Sequence, residues 1–179
     1  MDYGTAVIND HDKITSLFLT TFTASEGEEE GSIVSRLAHD LLSTTTPDDL
    51  YCFVARDRDE LAAAIILTRF WFANAAPTTF ILAPVAVHPR HQRQGIGQRL
   101  ITFGLNTIQA DGVEIAITYG DPAYYCKVGF SQVQDKDVPA PFPLRLPHGW
   151  QAQSLTSAAL PPLAGPSRCV GALNRPEYW

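Results

Sequence analysis

Val85-Ala86-Val87-His88-Pro89-Arg90-His91-Gln92-Arg93-Gln94-Gly95-Ile96-Gly97-Gln98-Arg99 decides how this chain is read. An apolar strand ends at Val87, Pro89 helps stop it, and a glycine-bearing loop opens a helix. A loop entering a helix N-terminus gathers unpaired N–H donors, and the helix dipole adds attraction for an anion. Gly95 and Gly97 permit close backbone approach and dihedrals closed to other residues. Arg93 and Arg99 add positive charge at the rim, where phosphate oxygens would lie. The stretch therefore reads as a pyrophosphate cradle. It lacks the third glycine of a dinucleotide-binding fingerprint, and no acidic residue ends a strand about 20 residues on. Nor does it carry the Gly-Lys-Ser/Thr of a Walker loop.

A second block follows the helix: Gly120-Asp121-Pro122-Ala123-Tyr124-Tyr125-Cys126-Lys127-Val128-Gly129-Phe130. Asp121 suits an N-cap and Pro122 the first helical position, so Asp121 to Lys127 is expected to be a short helix. It carries two adjacent phenols. Cys126 reads as a small apolar residue on that helix.

Working outward, Ile14, Leu17, Phe18 and Phe22 share one helical face behind the caps of Asn9-Asp10-His11-Asp12. The polar stretch from Ala24 to Gly31 separates that face from Ile33, Val34, Leu37, Leu41 and Leu42. Glu28-Glu29-Glu30 reads as a solvated helix start, where negative charge is favourable. Strands are expected at 50–55, 61–72 and 79–87, forming an antiparallel meander, with a loop over 73–77. A helix is expected over 95–110, with Leu100, Ile101, Leu105 and Ile108 facing the sheet. Further strands are expected at 113–118 and 130–133, and the strand–helix–strand passage implies locally parallel pairing. Beyond Gln134 the chain is proline-rich, with late strands at 150–155 and 169–173. Phe142, Leu144, Trp150, Tyr178 and Trp179 argue that this tail packs onto the domain.

Length and composition bound the function. The 179 residues, 45% hydrophobic and 18% charged, suit one globular domain, residues 1–179, with a core of about 3–134 and an extension over 135–179. A net charge of -6 argues against a nucleic-acid partner. No apolar run reaches the roughly 18 residues of a membrane span, and the first residues lack a signal-peptide pattern. Cys52, Cys126 and Cys169 are too few and scattered for a zinc site or a disulfide framework, so they read as reduced thiols of a cytoplasmic protein. The five histidines supply no metal-ligand set either, and no metal is expected.

Taken together, the two blocks resemble the core of the GNAT superfamily of acetyl-CoA-dependent N-acetyltransferases. That family's cofactor motif is Q/R-x-x-G-x-G/A after a strand ending in V-x-P, which Gln92 to Gly97 and Val87-His88-Pro89 match. The Gly120-Asp121-Pro122-x-Tyr124-Tyr125 and Gly129-Phe130 pattern looks like a narrower bacterial branch with a proline-rich extension. The resemblance implies a mixed α/β fold: a mostly antiparallel twisted sheet flanked by helices. It implies acetyl-CoA as cosubstrate, with the backbone of Val85, Ala86 and Val87 along the pantetheine arm. Arg93, Gln94, Gly95, Ile96, Gly97 and Gln98 would surround the pyrophosphate. Tyr125, five residues before Phe130, corresponds to the tyrosine that faces the cofactor sulfur, where a phenol can serve the leaving thiolate.

Many relatives also use a Glu on the central strands as base. None lies in 79–87, Glu114 can point outward, and Asp121 is a helix cap, so the base stays unassigned. Solvent, a backbone carbonyl acting through water, or an amine of low pKa could serve. The expected activity is acetyl transfer to a primary amine by direct attack in a ternary complex, the acceptor being a small molecule or a protein. The rival is a non-catalytic acyl-CoA-binding module acting through a partner, and use of a longer acyl chain stays open. The acceptor pocket is expected around Ala24 to Gly31, Phe70-Trp71-Phe72 and the proline-rich tail, with a cationic acceptor favoured. A homodimer through the tail or a strand edge is compatible with the sequence.

Overall fold

The computed structural model describes residues 1–74, 77–163 and 165–179. Among these, the elements run β1 (Asp2–Thr5), α1 (His11–Glu26), α2 (Glu28–Thr44), β2 (Leu50–Asp57), β3 (Glu60–Phe72) and β4 (Thr79–Val87). Then come α3 (Ile96–Ala110), β5 (Ile115–Tyr119), α4 (Pro122–Tyr125), β6 (Ser131–Gln132), β7 (Trp150–Ser154) and β8 (Ser167–Cys169). Of the loop expected over 73–77, Ala75 and Ala76 lie outside the described residues.

β3 organises the sheet because both its faces are apolar. Ala64, Ile66, Phe70 and Phe72 pack on the α1–α2 side, while Ala63, Ile65 and Leu67 pack on the α3 side. A strand buried on both faces reads as a continuous apolar run, as Leu61 to Leu67 does. The sheet order is β1-β2-β3-β4-β5-β7-β6, and β8 pairs with the far end of β3 at Phe70 to Phe72. All pairings are antiparallel except β4 with β5, which α3 connects as a crossover. This is the mixed, mostly antiparallel sheet flanked by helices that the sequence implies. Leu100, Ile101, Leu105 and Ile108 of α3 are buried against it, as their spacing requires.

Several boundaries depart from expectation for local reasons. Only Gly27 (φ 101°) separates α1 from α2, because Ala24 to Glu26 and Glu28 to Glu30 are good helix formers. β1 pairs with β2 along the sheet edge, and four residues are too few to show alternation. The strand expected over 130–133 is only Ser131–Gln132, and it pairs with β7 rather than β5. β7 lies between β5 and β6, so the segment after Gln134 forms part of the sheet as well as packing on it. In place of a strand over 169–173, β8 ends at Cys169 and a 3₁₀ turn spans Gly171–Leu173.

The tail is held by aromatic packing. Trp150 meets Phe70 at 6.1 Å and Trp179 at 5.8 Å between ring centroids. Each indole N–H finds a carbonyl: Trp150 Nε1 donates to Val138 O at 2.7 Å, and Trp179 Nε1 to Leu173 O at 3.1 Å. Such buried N–H groups need partners, and these fix the path of the extension. No helix among the described residues is long and apolar enough to cross a membrane.

Candidate active site at the parting of β4 and β5

The site begins where a ladder ends. β4 pairs with β5 only from Thr79–Leu82 against Ile115–Thr118, yet its pairing with β3 continues to Val87. From Ala83 to Val87 the β5 side of β4 therefore has no neighbouring strand. His88 N donates to Ala62 O at 2.9 Å, which sets the phase of the ladder. Hydrogen-bonded and non-hydrogen-bonded pairs alternate, so Ala86, opposite Ala64, turns its N–H and C=O into the sheet. Val85 and Val87 turn theirs to the open side. The Val87 carbonyl is already taken, by Gln92 Nε2 at 3.0 Å and Thr21 Oγ1 at 3.4 Å. Of the three residues expected along a cofactor arm, Val85 thus offers both backbone groups, Val87 its N–H, and Ala86 neither.

The loop before α3 is a donor-rich concavity. Arg93 (φ 60°) and Gly95 (φ 72°) both take left-handed backbone, a geometry that turns successive N–H groups to one side. None of the six backbone N–H groups from Arg93 to Gln98 has a protein acceptor among the described residues. Arg99, expected at the rim, is committed within the chain: its Nε donates to Tyr3 Oη at 2.9 Å and its Nη2 to Gln94 O at 2.8 Å. It braces the loop and ties β1 to it, while Arg93 is exposed and in no ion pair among the described residues.

Gly97 is needed for a reason the sequence did not disclose. A Cβ there would lie 2.2 Å from Tyr124 Oη and 2.9 Å from Val87 Cγ2. The second block thus lands on the first, with the Tyr124 hydroxyl seated against the opening turn of α3.

α4 starts as its sequence predicts, with Asp121 Oδ1 accepting from Ala123 N at 2.9 Å. It directs Tyr125 to the fork, where the ring lines a cleft with Leu82, Ala83 and Val85 and packs on Phe130 at 5.8 Å between centroids. Burial pushes the Tyr125 phenol up to about 12; the neighbouring Thr118 hydroxyl opposes the shift, and Tyr124 and Asp121 add to it. Thr118 Oγ1 donates to Leu82 O at 3.0 Å, closing the ladder at its last pair. The fork therefore carries a phenol that keeps its proton throughout the neutral range. Tyr124 is also raised by burial.

The cleft has a volume of about 1080 Å³. One wall is the α1–α2 junction, with Glu26, Glu29 and Glu30; facing it are Arg145, Leu146 and His148, and Glu177 and Tyr178 of the tail. Leu146 N donates to Tyr119 Oη at 2.7 Å, which fixes the loop ahead of β7. Two of the three expected pocket regions line this cleft, but Phe70-Trp71-Phe72 does not. Phe70 and Phe72 are buried in the core, and Trp71 lies under the Arg168 guanidinium at 5.0 Å. The acidic run forms the first turn of α2, as its sequence suggests, and Glu29 and Glu30 also line the cleft, within the Ala24 to Gly31 region expected to shape it. Glu114 is occupied in accepting from Thr78 N at 2.8 Å. Cys126 opens the 3₁₀ turn Cys126–Val128 that follows α4, is exposed, and does not line the cleft.

Known proteins share this fold. A profile of the acetyltransferase (GNAT) family matches residues 11–130. YjhQ of Escherichia coli strain K12, described as an uncharacterized N-acetyltransferase, is 33% identical over 139 residues, covering 75% of this chain and 76% of that protein. The solved structure of Escherichia coli YhbS, a GNAT family N-acetyltransferase in complex with CoA, superposes with a TM-score of 0.81 at 21% identity, over 97% of this chain and 92% of that one. A GNAT family acetyltransferase from Brucella melitensis in complex with acetyl-CoA gives 0.70 at 21% identity, over 96% and 97%. The structural likenesses speak to the fold, and the sequence matches to the family.

Proposed function

Because the chain belongs to the acetyltransferase (GNAT) family, we propose that it moves an acetyl group from acetyl-CoA to a primary amine by direct attack in a ternary complex. The observation that carries this reading is the fork itself: open strand edge on one side, donor-rich loop at one end, protonated phenol at the other. Backbone donors from Arg93 to Gln98 would take the pyrophosphate, with Val85 and Val87 pairing the amides of the pantetheine arm. Ala86 is left out of that set. The thioester then reaches Tyr125, while the acceptor enters from the carboxylate-lined cleft. The three free cysteines favour a cytoplasmic location for this activity.

The neutral amine attacks the carbonyl carbon, the new C–N bond forms, and the C–S bond breaks as the nitrogen loses its proton through water. A phenol near 12 is a weaker acid than a thiol, ordinarily about 8.5. Complete transfer from Tyr125 to sulfur is therefore uphill by roughly 5 kcal/mol. Its service is a hydrogen bond to the thiolate as charge develops there, with solvent supplying the proton on release. One such preorganised donor is worth about 100-fold in rate.

The acceptor wall adds a constraint. The attacking nitrogen must shed its charge before it attacks, so an attraction by Glu26, Glu29 and Glu30 that lasts into the transition state would act on a second ammonium of the same molecule. This favours acceptors with two or more amines. Turnover of 1,4-diaminobutane against 1-aminobutane tests it: kcat/KM should favour the diamine about tenfold, and Glu29→Gln with Glu30→Gln should erase the preference. Equal turnover of the two amines by the parent would refute a cationic acceptor.

A further inference from the structure

We propose that Tyr124 is a cofactor-binding residue, its hydroxyl donating to the pyrophosphate of CoA beside the backbone donors at the start of α3. The inference rests on the acetyl-CoA reading above and assigns the second phenol a task distinct from that of Tyr125. Three observations converge on it. The Oη lies 2.2 Å from where a Cβ of Gly97 would be, and Val87 Cγ2 approaches the same point at 2.9 Å. It therefore bridges the end of β4 and the first turn of α3, the gap through which a chain running from the loop to the fork must pass.

The N–H groups of Ile96, Gly97 and Gln98 beside it have no protein acceptor among the described residues, and neither does the Tyr124 O–H itself. The Tyr124 hydroxyl is not among the fully buried unpartnered atoms, so water reaches it, and an anionic oxygen held by the neighbouring N–H groups would replace that water with a charge-assisted hydrogen bond. Its ring is fixed from behind: Tyr125 meets it edge-on at 5.2 Å between centroids, so the two phenols diverge from one short helix to different places. Tyr125 faces the cleft and the fork, whereas Tyr124 contacts the cradle.

The two tyrosines should separate cleanly. Calorimetric titration of CoA into the parent, Tyr124→Phe and Tyr125→Phe is paired with acetyl-CoA turnover on a panel of amines. Tyr124→Phe should weaken CoA binding about tenfold and leave kcat within twofold of the parent. Tyr125→Phe should bind CoA as the parent does and lose about 100-fold in kcat. Titrating pantetheine, which has no phosphate, locates the contact: Tyr124→Phe should bind it no differently from the parent. If the parent binds CoA and Tyr124→Phe binds it equally well, the assignment of Tyr124 fails while the acetyl-CoA reading stands. If the parent itself binds no CoA, both fall. A loss of affinity shared equally by pantetheine would also overturn a pyrophosphate contact.

Discussion

A single methyl group measures how closely the two sequence blocks depend on each other. Gly97→Ala places a carbon 2.2 Å from Tyr124 Oη, so the hydroxyl must move away from the opening turn of α3. The expected cost is roughly 1–3 kcal/mol of stability, as for other overpacked sites, together with weakened CoA binding. Adding Tyr124→Ala to Gly97→Ala removes the clash with the hydroxyl but leaves the 2.9 Å approach to Val87 Cγ2 and gives up the packing of the ring, so it should not restore the affinity. Melting curves with and without CoA check both halves, and full affinity in the double variant would show that Tyr124 takes no part. Gly95 answers to a different constraint, since its φ of 72° is strained for any residue with a side chain.

Among elements, the anchoring of α1 makes a pH-dependent prediction. Asp10 reads as a helix cap in the sequence, but its carboxylate makes no cap bond to α1. It accepts from Val7 N at 2.9 Å and pairs with Arg56 of β2. Burial raises its pKa, yet the Val7 and Arg56 interactions outweigh burial and the net shift is downward. A carboxyl depressed in the folded state stabilises the fold above its unfolded value and loses that contribution as pH falls through the folded value. Asp10→Asn should therefore cost about 2 kcal/mol at pH 7, and the difference from the parent should shrink below about pH 4. A gap in melting temperature unchanged from pH 7 to pH 3 would contradict the ion pair.

The same scale shows what a sequence can and cannot disclose. The long apolar strands and α3 were legible because periodicity and burial agree there, and the glycines of Gln92 to Gly97 marked the loop whose N–H groups are left without protein acceptors among the described residues. The insertion of β7 between β5 and β6 was not, because a five-residue strand after a proline-rich stretch carries no record of its partners. Glu29 and Glu30 are helix-start charge as their sequence suggests, and the pocket expected around Ala24 to Gly31 is where they meet the cleft. Ala86 could not be told from Val85 and Val87, since the phase of hydrogen bonding depends on β3.

For the whole molecule, the two sides of the fork differ in electrostatic character. The α3 side offers unpaired N–H groups and Arg93 to an anionic cofactor, and the α1–α2 side offers carboxylates to a cationic acceptor. A net charge of -6 is thus compatible with an anionic ligand, because the cradle lies across the sheet from the acidic wall. The extension serves this arrangement by adding β7 to the sheet and Arg145, Leu146, His148 and Glu177 to the cleft.

The most direct test is the melting temperature of the purified protein titrated with acetyl-CoA, beside a Gly95→Val variant whose loop cannot keep its left-handed turn. At 100 times the dissociation constant the ligand should add about 2.7 kcal/mol, or roughly 5–10 °C for a chain of this size, in the parent and not in the variant. A parent freed of carried-over CoA that melts at the same temperature with and without acetyl-CoA would contradict the account.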